Sequence, residues 1–192
     1  MSTKDSLVSQ IHDRDIDMRA RKIFLHGEVD ESSLERFSKN MHLLRHRDAN
    51  QKAITIEICT TGGHVSYGWG IYDLIRESKV HVTVEILSKC ESMGTIIVQG
   101  ADEVIMHKNA RFMVHIGSEA YQEDHTINIR RWQEWSDKDE KKTQDIMIAA
   151  IKRKKPRFTR EKLEKLIMFD TIMTPKEALE YGLIDKIYGE DL

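Results

Sequence analysis

Apolar residues recur along the chain with two different periods, and the shorter period marks a set of strands. Residues 53–58, AITIEI, alternate apolar and polar side chains, which is the pattern of a strand with one buried face. Residues 80–87, VHVTVEIL, are rich in β-branched side chains and predict a second strand. Further strands are predicted at 22–26, 103–106 and 111–116 and in the final LIDKIY segment.

The longer period predicts the helices that separate these strands. Leu34, Phe37, Met41 and Leu44 fall on one side of a helix over residues 31–46. Further helices are predicted over 65–77, from Ser92 to Gly100, over about 125–150 and over 159–168. Because strands and helices alternate, we expect a layered α/β fold with a largely parallel sheet.

The clearest local signal is the start of a helix at Thr174. Thr174 is a good N-cap, Pro175 takes the first helical position, and Glu177 follows three residues after the cap. Gly182 marks the far end of this helix. The segment therefore predicts a capping box and a short, well-defined helix.

Composition and charge limit the class of protein. The 192 residues are 40% hydrophobic and 32% charged, which predicts a soluble, globular chain. We assign residues 22–192 to a single domain and the polar residues 1–21 to a mobile or partner-dependent N-terminal arm. A formal net charge of -2 gives no general attraction to nucleic acid or to an anionic membrane. No apolar stretch approaches the roughly 20 residues of a membrane span.

The cysteines and the first residues bear on the compartment. Only Cys59 and Cys90 occur, which is too few for a disulfide scaffold. The N-terminus lacks the apolar core of a secretory signal, so we expect a cytoplasmic protein. The nine histidines do not follow metal-site spacing, and we expect neither a metal nor a cofactor.

Ser92 is the first candidate for chemistry, because it stands between a predicted strand and a predicted helix, in the sequence CESMG. A serine hydroxyl becomes a nucleophile when a base takes its proton and donors stabilise the oxyanion. The unpaired N–H groups at a helix start can supply such donors. Taken alone, a serine at this position is most often only a helix cap.

A glycine pair, Gly62-Gly63, follows the 53–58 strand. Glycine allows the backbone to approach a ligand closely, and in isolation the pair is most often an ordinary turn. Carboxyl ends of parallel strands meet at one edge of a sheet. If the strands are adjacent, the N–H groups of Gly63 and Met93 can converge on one oxygen.

His115 and Asp170 are candidate partners for Ser92, and neither is diagnostic alone. His115 is a lone histidine in the apolar sequence FMVHI, where a half-buried structural histidine is the common case. Asp170 lies between two predicted helices, where a solvated loop residue is the common case. His64, beside the glycine pair, is the main rival base.

Other residues offer alternative chemistry or an ordinary structural role. Cys90 is a rival nucleophile, although a small buried thiol is the simpler interpretation. Lys89 and Lys108 leave a Ser–Lys dyad open. Trp132 and Trp135 are interpreted as packing residues. The basic run KRKKPR at 152–157 is interpreted as a solvated complement to a helix C-terminus.

Several of these segments together resemble the Clp protease proteolytic subunit (ClpP) family, over residues 22 to 188. ICTTGGHV is similar to the strand and glycine-pair turn of that family, and ESMGTIIVQGADEVIMHKNARFMVH to its nucleophile helix and histidine strand. DTIMTPKEALEYGLIDKI is similar to its aspartate loop, capped helix and last strand. The resemblance implies a ClpP/crotonase-like layered α/β fold of repeated β-β-α type units, with a protruding handle at about 117–150.

The resemblance also implies roles for individual residues. Ser92 stands at the position of the nucleophile, His115 at that of the general base and Asp170 at that of the residue that orients the base. Gly63 and Met93 stand where backbone N–H groups form the oxyanion hole. The family implies a serine endopeptidase that assembles into seven-subunit rings, stacked in pairs around a chamber, and that receives unfolded polypeptides from a ring-shaped AAA+ ATPase.

The chain departs from the family pattern at three places. The sequence after His115 is Ile116-Gly117-Ser118-Glu119 instead of Gln-Pro and a glycine-rich strand, which bears on substrate register and cleavage preference. Aromatic positions of the ATPase docking pocket are Thr55 and Glu57, and an unpaired buried carboxylate is a poor wall for an apolar anchor. The N-terminal arm does not resemble the axial loop of the family.

Two other classes of function remain open. One is a structural ring subunit with little activity, which the altered segment after His115 favours. The other is a crotonase-like acyl-CoA enzyme, which shares the layered fold and the backbone oxyanion hole but needs no Ser–His–Asp set.

Overall fold

A computed structural model describes residues 3–46, 52–117 and 126–190. The strands are β1 (Ile16–Asp17), β2 (Lys22–Val29), β3 (Ile54–Gly63), β4 (Val82–Glu91), β5 (Glu103–Met106), β6 (Arg111–Val114), β7 (Thr171–Met173) and β8 (Lys186–Ile187). The helices are α1 (Thr3–Arg14), α2 (Glu31–His46), α3 (Val65–Arg76), α4 (Met93–Ile97), α5 (Thr126–Lys152), α6 (Arg160–Ile167) and α7 (Pro175–Tyr181). A 3₁₀ turn, Val98–Gly100, extends α4.

These strands form one sheet, in the order β1-β2-β3-β4-β5-β8. Every neighbouring pair from β2 to β8 along this path is parallel, and β1 is antiparallel to β2. The first half of β4 pairs with β5, whereas its last residues pair with β6, which also pairs antiparallel with β7. The layered α/β architecture with a largely parallel sheet is confirmed.

Alternating burial in the central strands explains the pattern in their sequences. One face of β3 and β4 is buried in the core, with side chains no more than 1% exposed: Ile54, Ile56, Ile58, Val82, Val84 and Ile86. Burial of each such side chain stabilises the folded state by about 1.5–3 kcal/mol. The intervening residues, such as Thr55 and Glu57, lie half-buried on the opposite face.

Glu57 is paired on that opposite face. Its carboxylate lies 2.8 Å from Lys22 Nζ and 3.2 Å from His26 Nε2, and Lys22 Nζ also lies 2.9 Å from Glu85. Burial lowers the pKa of Lys22, but its hydrogen bonds and attraction to the two carboxylates outweigh this and raise the pKa. Lys22, Glu57 and Glu85 therefore form a charged platform of paired side chains on this part of the sheet, where the family resemblance would place an apolar pocket.

The N-terminal region is more ordered than its sequence suggests. Residues 3–14 form α1, and β1 pairs with β2, with Ile16 opposite Ile23 and only 1% exposed. Asn40 of α2 donates a hydrogen bond to the carbonyl of Arg14 at 2.6 Å. A buried isoleucine and backbone pairing therefore attach the end of this region to the sheet, and the mobile or partner-dependent character of the N-terminal arm stays a prediction.

Other boundaries differ from the prediction in ways that concern the site. β3 continues through Gly63 because β2 pairs with it as far as Val29, so the glycine pair belongs to a strand instead of a turn. Residues 171–173, predicted as loop, form β7. Trp132 and Trp135 are 60% and 56% exposed on α5, so the expectation that they are packing residues is wrong for packing within the chain.

The capped helix and the basic run are connected. Thr174 and Glu177 form the predicted capping box of α7, and Gly182 ends the helix in the left-handed conformation. Lys154 Nζ donates to the carbonyl of Leu179 at 2.9 Å, and an Arg153 guanidinium N–H donates to that of Gly182 at 3.3 Å. The interpretation of the run as a complement to a helix C-terminus is confirmed, with α7 as that helix.

α5 is the long helix of the expected handle, and the strand expected before it, in residues 118–125, lies outside the described residues. No helix in the described part of the chain combines the length and the apolar character that a membrane span needs.

Candidate active site

Ser92 occupies a strained junction between β4 and α4. Its backbone angles are φ 51° and ψ −126°, a conformation that a non-glycine residue adopts only at a cost of about 1–3 kcal/mol. The Ser92 N–H donates to the carbonyl of Met113 at 2.9 Å, and Thr95 Oγ1 donates to the Ser92 carbonyl at 2.6 Å. A sharp strand-to-helix turn of this kind presents the serine hydroxyl at the edge of the sheet.

His115 follows β6 directly, and the sheet register brings it to Ser92. Because Glu91 lies opposite Met113, the residues after both strands emerge at the same edge. The Nε2 atom of His115 lies 2.8 Å from Ser92 Oγ, within hydrogen-bond distance. The side chain of His115 is 25% exposed, so one side of the ring is open to the cleft.

Asp170 lies on the other side of the imidazole. Its Oδ1 atom is 3.3 Å from His115 Nδ1, and its side chain is 68% exposed. β7 pairs antiparallel with β6, with Thr171 opposite Val114, and this pairing holds Asp170 beside His115. The three candidate residues are therefore brought together in the series hydroxyl, imidazole, carboxylate.

The glycine pair lies against the same junction. A Cβ atom built on Gly62 falls 2.7 Å from the carbonyl oxygen of Glu91, 2.7 Å from Ser92 Cβ and 2.9 Å from the Met93 nitrogen. Met93 is the first residue of α4, and N–H groups in a first helical turn have no acceptor within the helix. Gly62 therefore lies against the helix start at Met93, whereas a Cβ atom built on Gly63 would meet the backbone of Val29 on the neighbouring strand β2.

A cleft opens beside the Ser92–His115 pair. Its apolar wall comes mainly from α3, α4 and α6, and its other wall is the face of α5 that turns toward Ser92. The lining residues include Met93, Ile96, Ser136, Asp139, Glu140 and Met147. The α5 positions follow helical spacing from 136 to 147, so they form one stripe.

The rival candidates fit this site less well. His64 is exposed and stacks edge-on with Tyr67 at 5.6 Å between ring centroids. Cys90 is fully buried, and burial raises the pKa of its thiol well above the usual value, which leaves it protonated and unreactive. The Ser92 hydroxyl contacts His115, which favours the histidine as base over Lys89 or Lys108.

Sequence reasoning missed several supporting residues. Glu91 is 8% exposed and accepts a hydrogen bond from Arg111 Nε at 2.5 Å, which links β4 to β6 next to Ser92. The close approach of Gly62 and the polar stripe of α5 were also missed. The helical spacing of Ser136, Asp139 and Glu140 could have indicated the stripe, because it continues the apolar face that includes Met147.

Comparisons with known proteins identify the family. A family model described as Clp protease matches residues 7–191. The chain belongs to the Clp protease family. It is 29% identical over 175 residues to the ATP-dependent Clp protease proteolytic subunit of Mesostigma viride, covering 87% of this chain and 71% of that protein. The corresponding protein of Deinococcus radiodurans is also 29% identical, with coverages of 90% and 82%.

A structural comparison agrees. A ClpP1 mutant from Listeria monocytogenes matches with a TM-score of 0.78 and 23% identity, over 90% of this chain and 94% of that chain. At this identity the likeness supports the fold, and the ClpP-like α/β fold is confirmed. The chain is therefore a divergent member of the ClpP family. Proteins of this family are serine proteases, which are hydrolases.

Proposed function

We propose that this chain is an active serine endopeptidase subunit that hydrolyses peptide bonds of unfolded polypeptides, with Ser92 as nucleophile. The observation that carries the proposal is the 2.8 Å contact between Ser92 Oγ and His115 Nε2 at a strained strand-to-helix junction. A serine in such a contact has a base within reach of its proton. Asp170 at 3.3 Å from Nδ1 adds the group that orients the ring.

The reaction follows from these positions. His115 Nε2 accepts the hydroxyl proton as Ser92 Oγ attacks the peptide carbonyl, and the imidazolium then donates that proton to the leaving amine. Asp170 stabilises the imidazolium and fixes the tautomer with hydrogen on Nδ1. The Gly63 and Met93 N–H groups stabilise the oxyanion of the tetrahedral intermediate. Water then hydrolyses the acyl-enzyme with His115 again as base.

The assembly is part of the same proposal. The relatives named as proteolytic subunits of an ATP-dependent Clp protease support a self-compartmentalised ring, heptameric or stacked as two heptamers, formed from the domain 22–192 with α5 in its handle. An AAA+ unfoldase is the expected partner. Because the charged platform of Lys22, Glu57 and Glu85 replaces an apolar pocket, we expect docking to depend on polar contacts.

Hydrolysis of an unfolded protein tests the proposal. The purified chain and its Ser92→Ala variant are incubated with a casein-type unfolded substrate, alone and with a candidate unfoldase, and their assembly is measured by light scattering. We expect cleavage that Ser92→Ala abolishes. A ring that forms normally but cleaves nothing under either condition would indicate a structural subunit, and specific coenzyme A binding would revive the acyl-CoA enzyme.

A further inference from the structure

The cleft beside Ser92 has two chemically different walls. One wall is hydrocarbon, built from residues that include Met93 and Ile96 of α4. The other is the polar stripe of α5, which brings Asp139 and Glu140 into the same cleft. Because the cleft also contains the proposed nucleophile, a substrate side chain next to the scissile bond must lie between these walls.

Asp139 is the unusual member of the polar wall. It is only 9% exposed, although an aspartate on a long, highly charged helix would ordinarily face water. Its carboxylate lies 3.3 Å from Lys142 Nζ, but Lys142 is 59% exposed and its ammonium also lies over the rings of Trp69 and Trp135, at 5.6 and 5.9 Å from their centroids. Lys142 therefore pairs with Asp139 from the solvent side and does not itself line the cleft.

Glu140 adds a second carboxylate to this wall. Its Oε1 accepts a hydrogen bond from Gln144 Nε2 at 2.9 Å, and Gln144 Oε1 in turn accepts from Arg160 at 2.5 Å. Among the described residues that line the cleft there are two carboxylates and no lysine or arginine. The local charge is therefore negative where a substrate side chain must enter.

We propose that this cleft selects a basic residue, lysine or arginine, next to the scissile bond, with Asp139 as the specificity-determining residue. The aliphatic stem of such a side chain suits the wall of Met93 and Ile96, and its cationic end suits Asp139. A purely apolar side chain of the same length leaves the two carboxylates facing hydrocarbon, which is costly. This inference rests on the proposed function, because it concerns the substrate of the same site.

Two arms of one experiment test the selectivity. In the first arm, the peptides differ only in the residue next to the scissile bond, which is lysine, arginine, norleucine or glutamate. The intact protein cleaves each peptide, and kcat/KM is measured for each. In the second, binding of the same peptides to the Ser92→Ala variant is measured by fluorescence anisotropy. Norleucine keeps the whole carbon chain of lysine and lacks its ammonium group, so the lysine-to-norleucine ratio isolates the contribution of the charged group.

We expect a lysine-to-norleucine ratio of at least about 10 in both arms, and a lower rank for glutamate than for norleucine. Asp139→Asn keeps the shape of the side chain and should reduce the lysine-to-norleucine ratio about tenfold. Asp137→Asn is the matched control, because Asp137 is exposed on the same helix and does not line the cleft. That variant should retain the full ratio.

The outcomes separate the two proposals. Ser92-dependent cleavage that prefers norleucine, or a ratio that Asp139→Asn leaves unchanged, overturns the basic preference and leaves the peptidase intact. If no peptide is cleaved, the proposed function fails, and the binding arm still decides the preference of the cleft. Equal losses for Asp137→Asn and Asp139→Asn would mean that general surface charge, not the cleft, attracts the lysine peptide.

Discussion

Gly62 lies where β3 passes against the nucleophile junction, and replacing it with alanine should impair catalysis as well as stability. The added Cβ would stand 2.7 Å from Ser92 Cβ, whereas carbon atoms pack at about 3.5 Å or more. It would also stand 2.7 Å from the Glu91 carbonyl oxygen and 2.9 Å from the Met93 nitrogen. Two of these three neighbours are backbone atoms, so no change of rotamer relieves the overlap.

The size of the effect follows from that geometry. Relief of the contact with Ser92 requires a displacement of about 0.8 Å between β3 and the junction. A displacement near 1 Å in an active site can cost about 100-fold in rate, or about 2.7 kcal/mol in the activation barrier. The positive φ of 84° at Gly62 adds about 1–2 kcal/mol of strain to any L-residue, which affects stability.

Gly27→Ala is the control that separates these two effects. Gly27 has a similar positive φ of 90°, but a Cβ there meets no atom within 4 Å. In denaturant titration we expect Gly27→Ala to lose about 1–2 kcal/mol of unfolding free energy through backbone strain, and Gly62→Ala to lose about 1–3 kcal/mol more because of the overlap. Only Gly62→Ala should lose about 100-fold in kcat for a fluorogenic peptide. If the two variants keep the same kcat, the close approach of the glycine pair to the site has no catalytic role.

Three further predictions concern stability and reactivity. Thr174→Ala removes the N-cap of α7 and should cost about 1 kcal/mol, seen as a fall in Tm of about 2–4 °C; an unchanged Tm would contradict the role of the capping box. Iodoacetamide should alkylate the partly exposed Cys59 and spare the buried Cys90 in the folded protein, as checked by peptide mass mapping, and rapid labelling of Cys90 would refute its burial. Arg111→Ala leaves the buried carboxylate of Glu91 without its guanidinium partner and should lower the free energy of unfolding by about 1–3 kcal/mol in denaturant titration. A loss below about 0.5 kcal/mol would show that the pair is dispensable.

Much of the sheet could be predicted because its signal is local. The alternation in residues 53–58 reflects one buried face of β3, and the Thr174 capping box specifies the start of α7 without help from the rest of the chain. The carboxyl ends of parallel strands also indicated where Ser92 and the glycine pair meet. These features depend on residues that are neighbours in sequence or on a general rule of α/β sheets.

The features that escaped prediction depend on distant partners. β7 exists because β6 offers it an edge, and three residues carry too little pattern to reveal that pairing. Ile16 is attached to the sheet by pairing with Ile23, although most of its neighbours are polar. Asp139 faces inward because the orientation of α5 is set by Met147 and the apolar residues after it, which direct the polar half of the same stripe into the cleft. The outward position of Trp132 follows from the same orientation.

The central claim is that Ser92 is the nucleophile and that His115 activates it. A fluorophosphonate probe forms a stable adduct with an activated serine, and mass spectrometry of the digested protein locates that adduct. We expect one adduct, on Ser92, that disappears in Ser92→Ala and forms far more slowly in His115→Ala. An adduct of equal yield in Ser92→Ala, or one that forms at the same rate without His115, would contradict the claim.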